Sequence, residues 1–578
     1  MASTIPLNGV AGAAASGNGG GDAILKIHEA LKIVYSPQST NQARQEAQAF
    51  LESVKSLPEA PEHGFNLAFN QQDPIVRHYG LSLLEHAVKH RWADYTPELQ
   101  ECLRNYMLRL TKAITDRDPL YLRNKIAQLW VEIAKRAWCA SWLDMDAMLV
   151  HLWQLPGFVH KLFVLKVLES LSEDIFNSDD VVVALREGAL SKACVEIFTP
   201  AAILSEEFPN RQKNPEVRFQ AEGWLPRITQ FIGECLSAGV QSEDVAACAA
   251  KALNVLTSVI PWVIPKAISA VNGRGVMCSC LATSSVPVQK AALEALYALY
   301  SRSNYTEEEF VDLVVPMYGP EAVDLCRRLY EWSTVDAHDI DEDKYQFAKK
   351  FSEMLCCLGN YLDRKFTAIP VGTNVQGFLE LLMLVVQSQS LVVSIPILLT
   401  WTRILSHRAL GPAAVEMPFI GNLLELCSNR LLRYEWLPED TEDPIYVLLN
   451  EDTDTVPERH AFLGNYRRYC CSVIESIVNL QLQGAFTVIL NRAEHALNTL
   501  YDGQPPLSRE CPDLALRDDE SDGHVAANYQ KNSMPVLTVD CHATVIEAAL
   551  KGYDKWKLSR NRTDEDVRST LSSPKESR

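Results

Sequence analysis

Apolar residues recur along most of this chain at intervals of three and four, the spacing that gathers them on one face of an α-helix. After Pro119, for example, Leu122, Ile126, Leu129, Trp130, Ile133 and Ala137 fall at i, i+4, i+7, i+8, i+11 and i+15, with Arg123, Gln128, Glu132 and Lys135 off that stripe. So wide a stripe predicts a helix that neighbours must cover. Similar patterns run almost end to end, with short connections and hardly a strand candidate: 22–36, 40–56, 59–69, 74–92, 97–115, 119–138, 143–155, 158–176, 181–198, 215–236, 242–259 and 287–303. Two more occupy 307–364 on either side of 333–343, and later ones lie at 375–387, 391–407, 414–433, 457–481, 484–501 and 543–558.

A short phrase punctuates the pattern. Asp73-Pro74-Ile75-Val76-Arg77 opens one helix, Asp118-Pro119 with Arg123 opens another 45 residues on, and Asn214-Pro215-Glu216-Val217-Arg218 follows 96 residues later. An Asp or Asn side chain accepts from the free amides of a first turn, and Pro at the next position gives up an amide that has no partner there. Each copy is therefore expected to start a helix. Steps of about 40–47 residues are those of HEAT and armadillo units, and Val286-Pro287-Val288 is a degenerate relative of the phrase. The expected fold class is all-α, a HEAT-repeat (armadillo-like) α-solenoid superhelix, which points to binding rather than catalysis.

Composition agrees with a stack. The 578 residues exceed what one compact core organises, and 47% are hydrophobic. The net charge of −19 argues against a protein that binds nucleic acid by bulk attraction to phosphate. The charge is uneven: Arg77 to Arg136 holds 11 Lys or Arg against 7 Asp or Glu, a local +4 that leaves −23 for the rest. Fifteen Cys without a C-x-x-C pair, including Cys278 with Cys280, Cys356 with Cys357 and Cys470 with Cys471, read as buried thiols in a reducing compartment. The first basic residue is Lys26, so the Gly-rich start reads as a flexible leader and not a targeting signal. The most apolar window, 378–400, is broken by Glu380, Gln387 to Ser390 and Pro396, and predicts two buried helices rather than a membrane span.

Catalytic and ligand-binding motifs are missing from the sequence. His86 and His90 stand at i, i+4, but the pattern is not H-E-x-x-H and no third ligand is suitably spaced, so a solvated helix face is the expectation. There is no G-x-x-x-x-G-K-[ST] and no G-x-S-x-G. No catalytic residue, cofactor site or metal site is expected. Arg77 and Arg123, five places into successive repeat helices, have two readings: a hydrogen bond to a neighbouring repeat, or part of a contact strip on the inner helices. Of the acidic stretches, 436–455 has seven acidic and no basic residues and reads, with 502–535, as an exposed loop; 518–522 reads as solvated. The stretch with Asp336, Asp339, Asp341, Glu342 and Asp343 sits between apolar helices beside Trp332 and Tyr345, a candidate contact to a basic partner or another repeat.

Two stretches carry a resemblance. Ala43-Arg44-Gln45-Glu46-Ala47 through Phe50-Leu51, then Asp73-Pro74-Ile75-Val76-Arg77-His78-Tyr79-Gly80-Leu81 to Arg91-Trp92, resembles the N-terminal domain of importin-β-like transport receptors. Leu329-Tyr330-Glu331-Trp332-Ser333-Thr334-Val335-Asp336-Ala337-His338-Asp339-Ile340-Asp341-Glu342-Asp343-Lys344-Tyr345, followed by Leu358-Gly359-Asn360, resembles the exportin-5 family. Such receptors are about twice this long, so the chain is expected to be an N-terminal half. The resemblance implies a nuclear export receptor that shuttles between nucleus and cytoplasm. Its partners would be Ran-GTP, cargo (structured RNA such as microRNA precursors or transfer RNA, and/or proteins) and nucleoporin Phe-Gly repeats, with no membrane and no metal. GTP would belong to Ran. In the family Ran lies against the inner helices of the first repeats, which here carry Arg77, Glu85, Lys89, Arg123, Glu132 and Lys135. An import receptor of the importin-β class and a Ran-independent HEAT scaffold are the alternatives. The expected boundaries are a leader at 1–21, importin-β-like repeats at 22–138, an exportin-type solenoid at 139–501, a loop at 502–538, a further helix at 539–558 and a disordered tail at 559–578.

Overall fold

The structure, a computed structural model, describes residues 19–70, 73–177, 179–210, 216–437, 441–500 and 533–572. Much of the expected leader, the 502–532 part of the expected loop with 518–522, and residues 573–578 of the expected tail lie outside these. Among the described residues the elements are helices, joined by turns and two isolated β-bridges. The chain divides into two units, 1–276 and 277–578.

The first unit holds α1 (Gly19–Tyr35), α2 (Asn41–Val54), α3 (Ala60–Asn70), α4 (Pro74–Arg91), α5 (Pro97–Lys112), α6 (Leu120–Ala137), α7 (Met145–Trp153), α8 (Val159–Phe176), α9 (Val181–Ala184), α10 (Glu187–Phe198), α11 (Ala201–Glu207), α12 (Trp224–Ala238), α13 (Glu243–Val259) and α14 (Pro265–Ala270), with α15 (Gly273–Leu281) at the division. Successive helices pair, and α4, α6, α8 and α13 also pack side by side in a row. The six stripe residues of α6 are all buried, as are Ala127, Val131 and Ala134. That helix is therefore covered nearly all round, by α5, α4 and α8. The α3–α4 pair closes at glycine: a Cβ on Gly80 would come within 2.6 Å of Ala68 N and Gly64 O, so no larger residue fits there without movement.

The second unit holds α16 (Val286–Ser301), α17 (Glu307–Leu313), α18 (Pro320–Ser333), α19 (Glu342–Lys365), α20 (Val375–Val386), α21 (Leu391–Ser406), α22 (Leu410–Val415), α23 (Ile420–Asn429), α24 (Pro444–Asp452), α25 (Val456–Leu480), α26 (Leu482–Thr499) and α27 (Met534–Ser572). Here α16, α19, α21, α25 and α27 form the row. The 378–400 window is two buried helices, α20 and α21, and among the described residues no helix is long and apolar enough to cross a membrane. Paired helices stacked in chain order bear out the all-α HEAT-repeat fold class.

The helix-start phrase behaves differently at its three sites. Asp73 does cap α4, its Oδ1 accepting from Ile75 N at 2.8 Å. Asp118 makes no side-chain cap to α6; it serves the neighbouring repeat instead, as described below. The third copy starts no helix. Asn214 and Pro215 lie outside the described residues, and 216–223 is irregular up to α12. Two contacts hold that segment out of helical form: buried Asp146 accepts from Phe219 N and Trp224 Nε1 at 2.7 Å each, and Gly223 takes φ +85°, which a side chain would disfavour. Arg218 donates to the Glu196 and Thr199 carbonyls that end α10.

Three other expectations change. The 181–198 and 414–433 patterns each break into two short helices, and so does the 307–333 half of the expected 307–364 pair, into α17 and α18. The 436–455 stretch carries α24, capped by Asp443, and Asp452 turns inward. The backbone of α27 continues helical to Ser572, past the expected end at 558.

Candidate functional site

The charged residues expected on the inner helices of the first repeats come together on the flank of α4 and α6, though not as an open strip. Arg77 Nη1 meets Asp118 Oδ1 at 2.5 Å, linking α4 to the residue pair before α6, and Arg77 Nε donates to the Ala68 carbonyl at 3.3 Å. Asp118 Oδ2 accepts from Thr115 N at 2.7 Å. Burial alone raises a carboxyl pKa, but the Arg77 guanidinium and the Thr115 amide outweigh it and hold Asp118 below the usual range. The phrase thus works as a rivet, with the Arg of one copy gripping the Asp of the next.

Two turns along α4, Glu85 pairs with Lys89 at 2.8 Å and with Lys125 of α6. Lys89 in turn approaches Glu132 at 3.6 Å. Glu132 also meets Lys135 at 2.8 Å and Arg136 at 2.7 Å. Lys135 Nζ then sits 2.8 Å from each of three carboxylates, those of Glu132, Asp174 and Asp180. Asp174 lies on α8 and Asp180 caps α9. Burial pulls the Lys135 pKa down, yet these three acceptors drive it well above the ordinary lysine value. For Glu132 burial pushes up, and Lys135, Arg136 and Lys89 more than reverse it. With Arg77 and Asp118 included, five cations (Arg77, Lys89, Lys125, Lys135, Arg136) face five carboxylates (Glu85, Asp118, Glu132, Asp174, Asp180).

Exposure separates the six candidates. The side chains of Glu132 and Lys135 are 4% and 3% exposed, so they hold the row together from inside and offer no surface. Arg77, at 20%, is mostly occupied by Asp118 and Ala68. Lys89 is 36% exposed. Arg123 is half-buried, with Nε unpartnered and no ion pair among the described residues. Lys89 and Arg123 thus keep the most surface among the candidate cations, Lys89 at the Glu85 pair and Arg123 apart from it on α6. The His86 and His90 rings lie 4.8 Å apart, tilted by 47°, and burial with the His90 charge keeps His86 below its ordinary pKa. Among the described residues no group of three or more His, Cys, Asp or Glu side chains is placed to hold a metal.

A second device fixes the C-terminal ends of the row. Arg91 donates to the Ser56 and Leu57 carbonyls after α2, Arg136 to the Lys89 carbonyl of α4, and Arg186 to the Lys135 and Trp138 carbonyls that end α6. The last carbonyls of a helix lack intrahelical donors and carry partial negative charge, so a guanidinium there satisfies both demands. Sequence reasoning missed Lys125, Arg136, Asp174, Asp180 and Arg186. Their signal is a charge about one repeat from its partner: Lys125 is 40 residues from Glu85, and Lys135 is 39 from Asp174.

In the second unit the acidic stretch is exposed at Asp336, Asp339, Asp341, Glu342 and Asp343. Asp341 caps α19 by accepting from Lys344 N at 3.2 Å, and Asp336 accepts from His338 N at 2.9 Å. Asp343 reaches Lys290 of α16 at 2.9 Å, a contact to another repeat, though an exposed pair of this kind adds only about 0–1 kcal/mol. Tyr345 just beyond is buried, its hydroxyl 2.6 Å from Asp452 and 2.8 Å from Ser390.

Comparison with known proteins fits this geometry. Residues 342–572 match the Exportin-5 family, and residues 47–112 match the Importin-beta N-terminal domain, which bears out both parts of the resemblance. Protein MSN5 of Saccharomyces cerevisiae is 27% identical over 92% of this chain and 42% of its own length. Exportin-5 of Homo sapiens is 25% identical over 82% of this chain and 38% of its own, and Exportin-5 of Dictyostelium discoideum 22% over 82% and 40%. The chain thus spans about two fifths of the length of these curated relatives.

Proposed function

We propose that this chain acts in nuclear export, as the N-terminal part of a receptor that binds Ran-GTP and cargo together and carries them through the nuclear pore. The α4–α6 row carries the reading: it lies in and directly after the segment that matches the Importin-beta N-terminal domain. Its charges are locked to one another, so the wall is rigid before any partner arrives, and little order must be created on binding. Lys89 and Arg123 are the cations offered to Ran; Glu132 and Lys135 hold the row in place. The five-to-five balance suits a partner surface of mixed sign better than a nucleic-acid backbone.

GTP is held by Ran in this reading, and the chain needs no cofactor of its own. Cargo is structured RNA such as microRNA precursors or transfer RNA, and/or protein, and Phe-Gly repeats of nucleoporins provide weak contacts during passage between nucleus and cytoplasm. The test is a binding titration with Ran loaded with a non-hydrolysable GTP analogue, with and without hairpin RNA or a phosphoprotein. Export requires each ligand to tighten the other by the same factor. Displacement of cargo by Ran shows an import receptor instead, and absence of Ran binding leaves a scaffold.

A further inference from the structure

The row of the second unit has an open groove that the Ran reading does not use. It crosses α16, α19, α21 and α25 and has a volume of about 550 Å³, within the range of ligand-binding clefts. Its floor is built of short or aliphatic side chains, Cys356, Cys357, Ile395, Pro396 and Leu399. Pro396 stands in the middle of α21, where it also withholds an amide from the helix ladder. Three aromatic rings rise around this floor: Tyr297, Phe462 and Tyr469.

Two arginines, Arg468 in the lining and Arg403 beside it, have no carboxylate partner among the described residues. Arg468 lines it, rests over the Tyr469 ring at 5.2 Å and donates only to the Tyr469 hydroxyl, at 3.4 Å. Arg403 lies one turn beyond Leu399 on α21 and donates to the Asn360 side chain. Neither has an ion pair among the described residues, and both are exposed. One carboxylate, Glu353, also lines the groove and is held 2.9 Å from Lys350, which lies 3.8 Å from Glu294 as well. In a protein of net charge −19, two unmatched guanidinium groups beside an apolar, aromatic-walled floor define a complementary ligand.

We propose that this groove docks an extended acidic protein segment, which inserts a bulky apolar side chain between Tyr297, Phe462 and Tyr469 and sets flanking carboxylates against Arg403 and Arg468. A peptide can place its charges only where the two arginines stand. A nucleic acid strand brings a phosphate with every nucleotide, and here most would face uncompensated or acidic surface. An aromatic or aliphatic anchor gains from the apolar floor and the aromatic side chains beside it, and the arginines fix direction and register.

Fluorescence anisotropy with the full 578-residue chain and a labelled peptide of aspartates around a central phenylalanine tests this. Saturable binding is expected, with about tenfold weaker affinity for the peptide with alanine in place of phenylalanine, and again for Arg403→Glu with Arg468→Glu. Arg468→Lys should keep most of the affinity. The proposal is overturned if the peptide does not saturate, if the double variant binds it equally well, or if single-stranded oligouridine binds in preference and is lost in the same variant. Should the double variant lose helicity, alkylation of Cys356 and Cys357 in the unaltered chain decides: protection by the peptide supports the groove, and no protection overturns it.

Discussion

The rows of the two units are built on the same plan and differ in the chemistry of their central steps; the outer steps of the second row carry ion pairs too, Lys350–Glu294 and Arg467–Asp540. In the first, every step carries ion pairs: Arg77–Asp118 and Lys125–Glu85 tie α4 to α6, Lys135–Asp174 ties α6 to α8, and Lys251–Glu169 ties α8 to α13. In the second, the central steps are neutral. Arg403 meets only an amide between α21 and α19, and Ser394 meets Tyr466 at 2.9 Å between α21 and α25. Buried Arg430 serves backbone there, donating to the Val386, Gln387 and Ser388 carbonyls that end α20. The contrast shows that charge on a repeat helix is not by itself a binding surface. Where charges satisfy one another they make a rigid wall, and where two arginines are left unmatched beside apolar surface they ask for a ligand.

Removing the centre of the ionic row should have the largest effect. Lys135→Ala leaves three carboxylates crowded together and is expected to cost about 3–5 kcal/mol. Hydrogen exchange should accelerate in α6 and α8 while α21 and α25 keep their protection; equal loss in both rows would remove the distinction. Acid should follow the same division. Asp118, Glu132, Glu85, Glu169 and Asp180 all have folded pKa values below their unfolded ones, because cations and amides outweigh burial. Their contribution is present above the unfolded value, about 4, and is lost as pH falls through the folded values. Asp146 and Glu173, both raised first of all by burial, work in the opposite sense. Urea denaturation followed by hydrogen exchange should therefore show the first row weakening below about pH 4 before the second.

Smaller changes sharpen the same contrast. Tyr466→Phe removes the partner of Ser394 and Arg430 and is expected to cost about 1–3 kcal/mol, confined to α21 and α25. Glu85→Gln, at a partly exposed pair, should cost about 1 kcal/mol or less, and the difference should shrink in high salt.

The helices were legible in the sequence because an amphipathic stripe repeats every few residues and needs no distant information. The stripe of α6 was read correctly from Leu122 to Ala137, and Asp73 was rightly read as a cap. What failed depended on residues a repeat or more away. Nothing near Asn214 reveals that Asp146, some seventy residues earlier, claims Phe219 N and Trp224. The position of Lys135 off the apolar stripe was correctly seen, but its burial is set by Asp174 and Asp180 on elements the stripe does not describe. The sequence around Arg77 allows two readings, and the Asp118 carboxylate at its guanidinium makes it a link between repeats. The groove of the second unit was invisible because its walls come from four helices spread over more than 170 residues.

The most direct measurement is the affinity of the full chain for Ran carrying a non-hydrolysable GTP analogue, compared between the unaltered protein and Lys89→Gln with Arg123→Gln. Lys89 keeps over a third of its side chain exposed while it bridges Glu85 and Glu132, and Arg123 has no ion pair among the described residues. A loss of about tenfold or more, with helicity and melting unchanged, is predicted for the α4–α6 wall as the Ran-facing surface. Arg77→Gln, by contrast, should lower stability first. Unchanged affinity in the Lys89 and Arg123 double variant would contradict that surface.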